Sequence, residues 1–80
     1  MRIHELKIWP MFYAEIAAGR KQWEWRSTKD RRFSVRDVVI LLEWDPGLNR
    51  FTKSPPLRRQ IVEIVQHGGF AARRLEADPS

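Results

Sequence analysis

The sequence has 80 residues, enough for a single domain over residues 1–80, and it contains no cysteine, which excludes disulfides and cysteine-ligated zinc. Its formal charge of +5 favours a polyanionic partner such as nucleic acid, although small soluble domains often carry excess charge simply to stay in solution. The chain has no apolar run of ~18 residues and no hydrophobic leader, so we expect a cytoplasmic protein with no membrane partner. Two histidines are too few to predict a metal site, and no cofactor is expected.

The first part of the chain predicts a strand, a helix and a second strand. Residues 2–8 alternate in polarity before a proline, which is typical of a strand that ends there. Apolar residues then recur at helical spacing over residues 10–18, with Gly19 as the stop signal, and we expect the aromatic side chains of this helix to lie in the core. The second strand is predicted over residues 21–27.

Beyond a polar connection at residues 28–32, the pattern is mainly that of strands. Residues 37–44 hold a continuous apolar run rich in β-branched residues, typical of a strand that is covered on both faces. After a turn, residues 50–53 are predicted to form a short returning strand, and residues 58–66 a longer one. Residues 70–77 are predicted to form one helical turn.

Together these elements predict an α+β domain with a frayed tail at residues 77–80. Its sheet would have four or five strands, mainly antiparallel, with one helix between the first two strands. A small, partly open β-barrel is the architecture that lets so few strands enclose a core and hide their edges.

The second predicted strand carries the candidate site. Successive side chains of a strand point to opposite faces, so Trp23 and Trp25 share one face, which we expect to close the core, with base stacking as the alternative. Glu24 and Arg26 share the other face, about 7 Å apart along the strand. We expect these two charged side chains to frame a polar pocket with Lys21 at its entrance.

Further cations extend the predicted nucleic-acid surface. Lys7 is expected at the rim of the pocket, and Arg31 and Arg32 in the polar connection are candidates for phosphate contacts. The alternative for each of them is a solvated side chain with no ligand. His4 faces Leu6 on the first strand and is expected to be a structural histidine.

Several segments together resemble a known family. The segments are His4-Glu5-Leu6-Lys7-Ile8-Trp9-Pro10, Phe12, Gly19-Arg20-Lys21, Glu24, Arg26, Phe33, Val35, Asp37-Val38 and Glu43-Trp44-Asp45-Pro46. In this order they resemble a small PUA-like family of bacteria and phages within the ASCH superfamily. The resemblance implies a PUA-like β-barrel whose ligand is RNA or a modified nucleobase or nucleoside.

The chain also departs from that family. Some similar ASCH proteins are acetylcytidine amidohydrolases with a catalytic Lys and a Thr nucleophile three residues on; Lys21 matches the Lys, but Glu24 fills the Thr position. Lys21 and Glu24 are therefore catalytic candidates only as an acid–base pair. Arg36 stands where the family typically has a glycine, and if that glycine serves a turn with positive φ, Arg36 must strain or reshape it. Relatives also end with an apolar strand that residues 70–77 do not match, which would leave a sheet edge open to homodimer formation.

Three functional hypotheses follow. The favoured one is a module that binds RNA, another single-stranded nucleic acid or a modified nucleoside through a basic face and a polar cleft. The second is a small hydrolase that acts on a modified nucleoside. The third is a phage-type accessory protein that binds and inhibits a host protein or nucleoprotein complex.

Overall fold

A computed structural model describes residues 1–27 and 32–77. These residues form one helix and six strands: β1 (Ile3–Ile8), α1 (Pro10–Ala17), β2 (Trp23–Ser27), β3 (Val38–Asp45), β4 (Arg50–Phe51), β5 (Leu57–His67) and β6 (Phe70–Ala77). The predicted elements over the first 67 residues are found within one or two residues of these bounds, and residues 28–31 of the polar connection lie outside the described part. Within the described residues, no helix has the length and the apolar composition that crossing a membrane requires.

The strands form a mixed sheet in the order β1-β3-β5-β6-β2, with β4 attached to β3. β1 and β3 run parallel, and the other described pairs are antiparallel. The prediction of a mainly antiparallel sheet with one helix between its first two strands is therefore confirmed, whereas the predicted number of four or five strands is wrong, because residues 70–77 add a sixth. The described sheet is not closed into a barrel, because β1 and β2 end the hydrogen-bonded path at its two sides.

The prediction of a helical turn at residues 70–77 is wrong. This segment is β6, an eight-residue strand that pairs with β5 on one side and with β2 on the other. Its alanines and arginines have no strand preference of their own, but the two neighbouring strands supply partners for the backbone groups on both edges, and tertiary context overrides propensity. The strand that was expected to be missing from the edge of the sheet is therefore present as β6. Ala77 belongs to this strand and not to a frayed tail. Residues 78–80 lie outside the described part.

The core lies between the helix and the sheet. Alternate residues of β1 are buried, as the polarity pattern predicts. One helical side chain completes the cluster, whose buried members are Leu6, Ile8, Ile16, Val39, Leu41, Ile61 and Leu75. Tyr13 packs against this cluster, and its hydroxyl donates a hydrogen bond to the carbonyl oxygen of Pro55 (2.5 Å), which ties the helix to the loop before β5.

Arg36 lies in the turn before β3 with a φ of 81°. A left-handed backbone is the conformation that glycine adopts without strain, so the observed φ agrees with the expectation that a turn with positive φ would strain Arg36. The conformation costs a residue with a side chain about 1–2 kcal/mol. The Arg36 amide donates to the carbonyl oxygen of Ile61 (2.7 Å), so the turn is held in place by β5.

Candidate functional site

Strand β2 presents its polar face, and not its tryptophans, to the interior. Glu24 is 8% exposed, whereas Trp25 is 56% exposed and Trp23 is half-buried. The expectation that the two tryptophans close the core is therefore wrong. The reason lies across the ladder, where Glu24 is the register partner of Arg73 on β6, which is only 2% exposed. A buried guanidinium needs a carboxylate beside it, and this pairing determines which face of β2 points inward.

Glu24 lies between two guanidinium groups. Arg73 Nη1 donates to Glu24 Oε2 (2.7 Å), and Arg26 Nε contacts Glu24 Oε1. Arg26 also donates from Nη2 to the carbonyl oxygen of Lys7 (2.7 Å). Because Lys7 is on β1 and Arg26 is on β2, this bond joins the two strands at the ends of the sheet path. We call Glu24, Arg26 and Arg73 the charge cluster.

The charge cluster continues into a row of aromatic and polar side chains, in which Phe33 is half-buried. The guanidinium carbon of Arg73 lies 3.7 Å from the ring centroid of Phe33, and the Phe33 ring lies 4.5 Å from that of His4. His4 Nε2 is 2.9 Å from Asp37 Oδ2, with both side chains buried. His4 thus has the buried, hydrogen-bonded setting expected of a structural histidine.

Asp37 is held in its charged form at the start of β3. Burial acts to raise the pKa of this carboxyl, but the hydrogen bond with His4 and the bonds from the backbone N–H groups of Arg2 (2.9 Å) and Ser34 (3.0 Å) outweigh it. The net result is a pKa below the ordinary value of 3.8. The carboxylate therefore ties the first strand to the turn that precedes the third.

A cavity of about 330 Å³ opens where the end of β1, the helix α1 and the strand β2 meet. Trp9, Phe12 and Trp25 contribute aromatic surface to it, and each of these side chains is between 41% and 56% exposed. The polar part of the lining includes Lys21 and two members of the charge cluster, Glu24 and Arg26, and the Lys21 ammonium lies 4.6 Å from the centroid of the Phe12 ring. The cavity thus combines aromatic surface with cations, which is the composition of a site for a planar, electron-rich ligand.

Most of the predicted site residues come together here. Lys7, Lys21, Glu24, Trp25 and Arg26 all line the cavity. The Lys7 ammonium, however, lies 3.9 Å from the centroid of the Trp44 ring. Because Trp44 does not line the cavity, the charge of Lys7 is directed toward Trp44 and not toward a ligand.

Two of the predicted binding residues that the structure describes are not found at the cavity. Trp23 is on the same face of β2 as Trp25 but does not line the cavity. Arg32 is exposed and does not line the cavity either. Arg31 lies outside the described residues.

Sequence reasoning missed three residues of the site. Trp9 and Phe12 were expected in the core, but they are 54% and 41% exposed and line the cavity together with the buried Ile16. Their spacing with Ile16, at positions i, i+3 and i+7, was a signal that they share one face. Arg73 gave no usable signal, since the segment around it was predicted to be helical.

The geometry favours binding over catalysis by Glu24. Both of its carboxylate oxygens contact guanidinium groups, so Glu24 already serves as the counterion of two arginines. Lys21 lines the same cavity, with its ammonium over the Phe12 ring. Among the described residues, no three histidine, aspartate or glutamate side chains gather as a metal-binding group.

Comparison with known proteins gives one positive result. No curated protein matches the chain. The model of a protein family described as a domain of unknown function, DUF3850, matches residues 3–74, which include β1 to β5, the helix, the first five residues of β6 and the residues that line the cavity. The chain therefore belongs to the DUF3850 family.

Proposed function

We propose that the protein binds RNA or a modified nucleoside by inserting a base into the cavity between Trp9, Phe12 and Trp25. The observation that carries this proposal is the convergence of three exposed aromatic side chains with Lys21 and Arg26 on one concave site. Stacking of a base on an aromatic side chain contributes about 1–3 kcal/mol and tolerates every base. The cavity volume of about 330 Å³ falls in the range of small-molecule sites.

The charge of the chain supports a nucleic acid as the source of that base. The formal net charge is +5, and Lys21 and Arg26 lie at the proposed entry point. Contacts with phosphates release counterions, so affinity for RNA should fall steeply as the salt concentration rises. Affinity for a free, uncharged nucleoside should change little under the same conditions.

We also propose that the family is a branch of the PUA-like ASCH superfamily. The sequence resemblance described above supports this relation, as does the position of a single helix between the first two strands of an open, mixed sheet. The relation makes RNA the expected ligand class, in agreement with the chemistry of the cavity.

Tryptophan fluorescence provides the test. In a Trp23→Phe/Trp44→Phe background the two remaining tryptophans, Trp9 and Trp25, both line the cavity and report on its occupancy. We expect quenching on titration with short single-stranded RNA or with modified nucleosides such as acylated cytidines. Absence of quenching by the whole panel would contradict the proposal, and chromatography of the same mixtures would reveal any turnover.

The matched control is on the same strand. Trp25→Ala removes a wall of the cavity, and we expect it to weaken binding by at least about fivefold, the lower end of the stacking contribution. Trp23→Ala truncates a residue on the same face that does not line the cavity, and binding should stay within about twofold of the parent. Equal losses in the two variants would argue against this cavity as the site.

Capture of a host protein that survives nuclease treatment would instead favour the protein-partner hypothesis.

A further inference from the structure

The polar part of the cavity has an excess of positive charge. Lys21 and Arg26 line it together with Glu24, and Arg73 lies directly behind Glu24. Among the described residues that line the cavity, three carry a positive charge (Lys7, Lys21 and Arg26) and one, Glu24, carries a negative charge, so this lining has a surplus of two positive charges. Arg73 is 2% exposed, and its charge is poorly screened by solvent.

A neighbouring carboxylate does not cancel this surplus. Glu15 precedes the cavity on the helix, and its pKa is lowered mainly by the hydrogen bond with Arg20, with a smaller effect of Lys21. Arg20 Nε is 2.9 Å from Glu15 Oε2, so Glu15 is balanced by a cation that does not line the cavity. Lys21 thus remains a net positive charge at the entrance.

From these charges we propose that the ligand of the cavity is a nucleoside phosphate, with its ring against the aromatic walls and its phosphate at Lys21 and Arg26. This inference rests on the proposed function and specifies the chemical class of its ligand. Ammonium and guanidinium groups donate hydrogen bonds and carry positive charge, which phosphate oxygens match in both respects. An uncharged nucleoside uses the aromatic walls alone and gains nothing from the surplus charge.

Calorimetric titration of the purified protein with matched ligands tests the inference. The ligands are the four common ribonucleosides, their 5′-monophosphates, and a trinucleotide whose phosphates are internal. At low salt we expect each monophosphate to bind about tenfold more tightly than its nucleoside, and this ratio should shrink as salt screens the charges. Similar gains for the trinucleotide would identify an RNA chain as the source of the phosphate, and a gain restricted to monophosphates would identify a free nucleotide.

Charge variants separate a local effect from the overall charge of the protein. Lys21→Gln should reduce the preference for phosphate by about fivefold, and Lys21→Arg should restore it. Lys53→Gln removes the same charge from an exposed lysine that does not line the cavity, and it should leave the preference unchanged. Equal effects of Lys21→Gln and Lys53→Gln would overturn the inference.

The outcomes distinguish this inference from the proposed function. If nucleosides and monophosphates bind with equal affinity, the proposed function stands and the preference for phosphate is wrong. If neither class binds and the trinucleotide does not bind either, the proposed function fails and the inference fails with it. Inorganic phosphate alone should bind much more weakly than the monophosphates, because it cannot use the aromatic walls.

Discussion

Replacing Glu24 by glutamine tests whether the charge cluster holds β2 against β6. The substitution keeps the shape of the side chain and removes the charge that neutralises Arg73, which is 2% exposed. Hydrogen bonds to charged groups contribute about 1.5–3 kcal/mol, and removing one partner of a buried ion pair costs about 3–5 kcal/mol. Because the glutamine oxygen can still accept a hydrogen bond and Phe33 still stacks on Arg73, we expect a loss of about 2–3 kcal/mol in the free energy of unfolding.

Urea denaturation followed by circular dichroism measures this loss, and the melting temperature should fall by about 10–20 °C, given about 4–8 °C per kcal/mol for a domain of this size. Glu63→Gln is the control, because Glu63 pairs with Arg74 at 3.0 Å on an exposed face of the same sheet and should contribute at most about 1 kcal/mol. The double variant Glu24→Gln/Arg73→Met removes both charges and should recover part of the loss. Equal, small effects of Glu24→Gln and Glu63→Gln would refute the assignment of a buried charge cluster.

Two further predictions concern the turn before β3. Arg36→Gly should raise the free energy of unfolding by about 0.5–1 kcal/mol, because relief of the left-handed backbone at φ 81° exceeds the added entropy of the unfolded chain. Asn49→Gly, at φ 53°, should gain less unfolding free energy in the same urea titration, since asparagine tolerates the left-handed region. A loss of stability in Arg36→Gly would contradict the assigned backbone strain. The stabilisation that Asp37 provides should be complete above pH 3.8 and lost as the pH falls through the lower pKa of the folded state, because its folded pKa is depressed. The difference in unfolding free energy between the parent and Asp37→Asn should therefore shrink below pH 3.8, and a difference that stays constant in acid would contradict the assigned hydrogen bonds.

Local pattern was sufficient for most elements of this fold. Alternating polarity predicted β1, helical spacing after a proline predicted α1, and the apolar run predicted β3, each within one or two residues of its observed bounds. The hydrophobic periodicity of these elements and their start and stop signals can be read from a short stretch of sequence. Strand alternation and spacing grouped Lys21, Glu24 and Arg26, and all three line the cavity.

Partners that are distant in the chain decided the rest. Residues 70–77 become a strand because β5 and β2 supply hydrogen-bonding partners on both sides, which no local preference encodes. The inward face of β2 is the one with Glu24, because Arg73 lies opposite it across a separation of 49 residues.

Local sequence patterns thus predicted the elements over the first 67 residues, their order, and the charged and aromatic residues from which a site is made. Only the tertiary structure determined that Trp9, Phe12 and Trp25 surround a cavity and that Glu24 is buried between two arginines. The physical reason is that periodicity separates two faces of an element, whereas the choice of the buried face depends on the charge and shape of whatever packs against it.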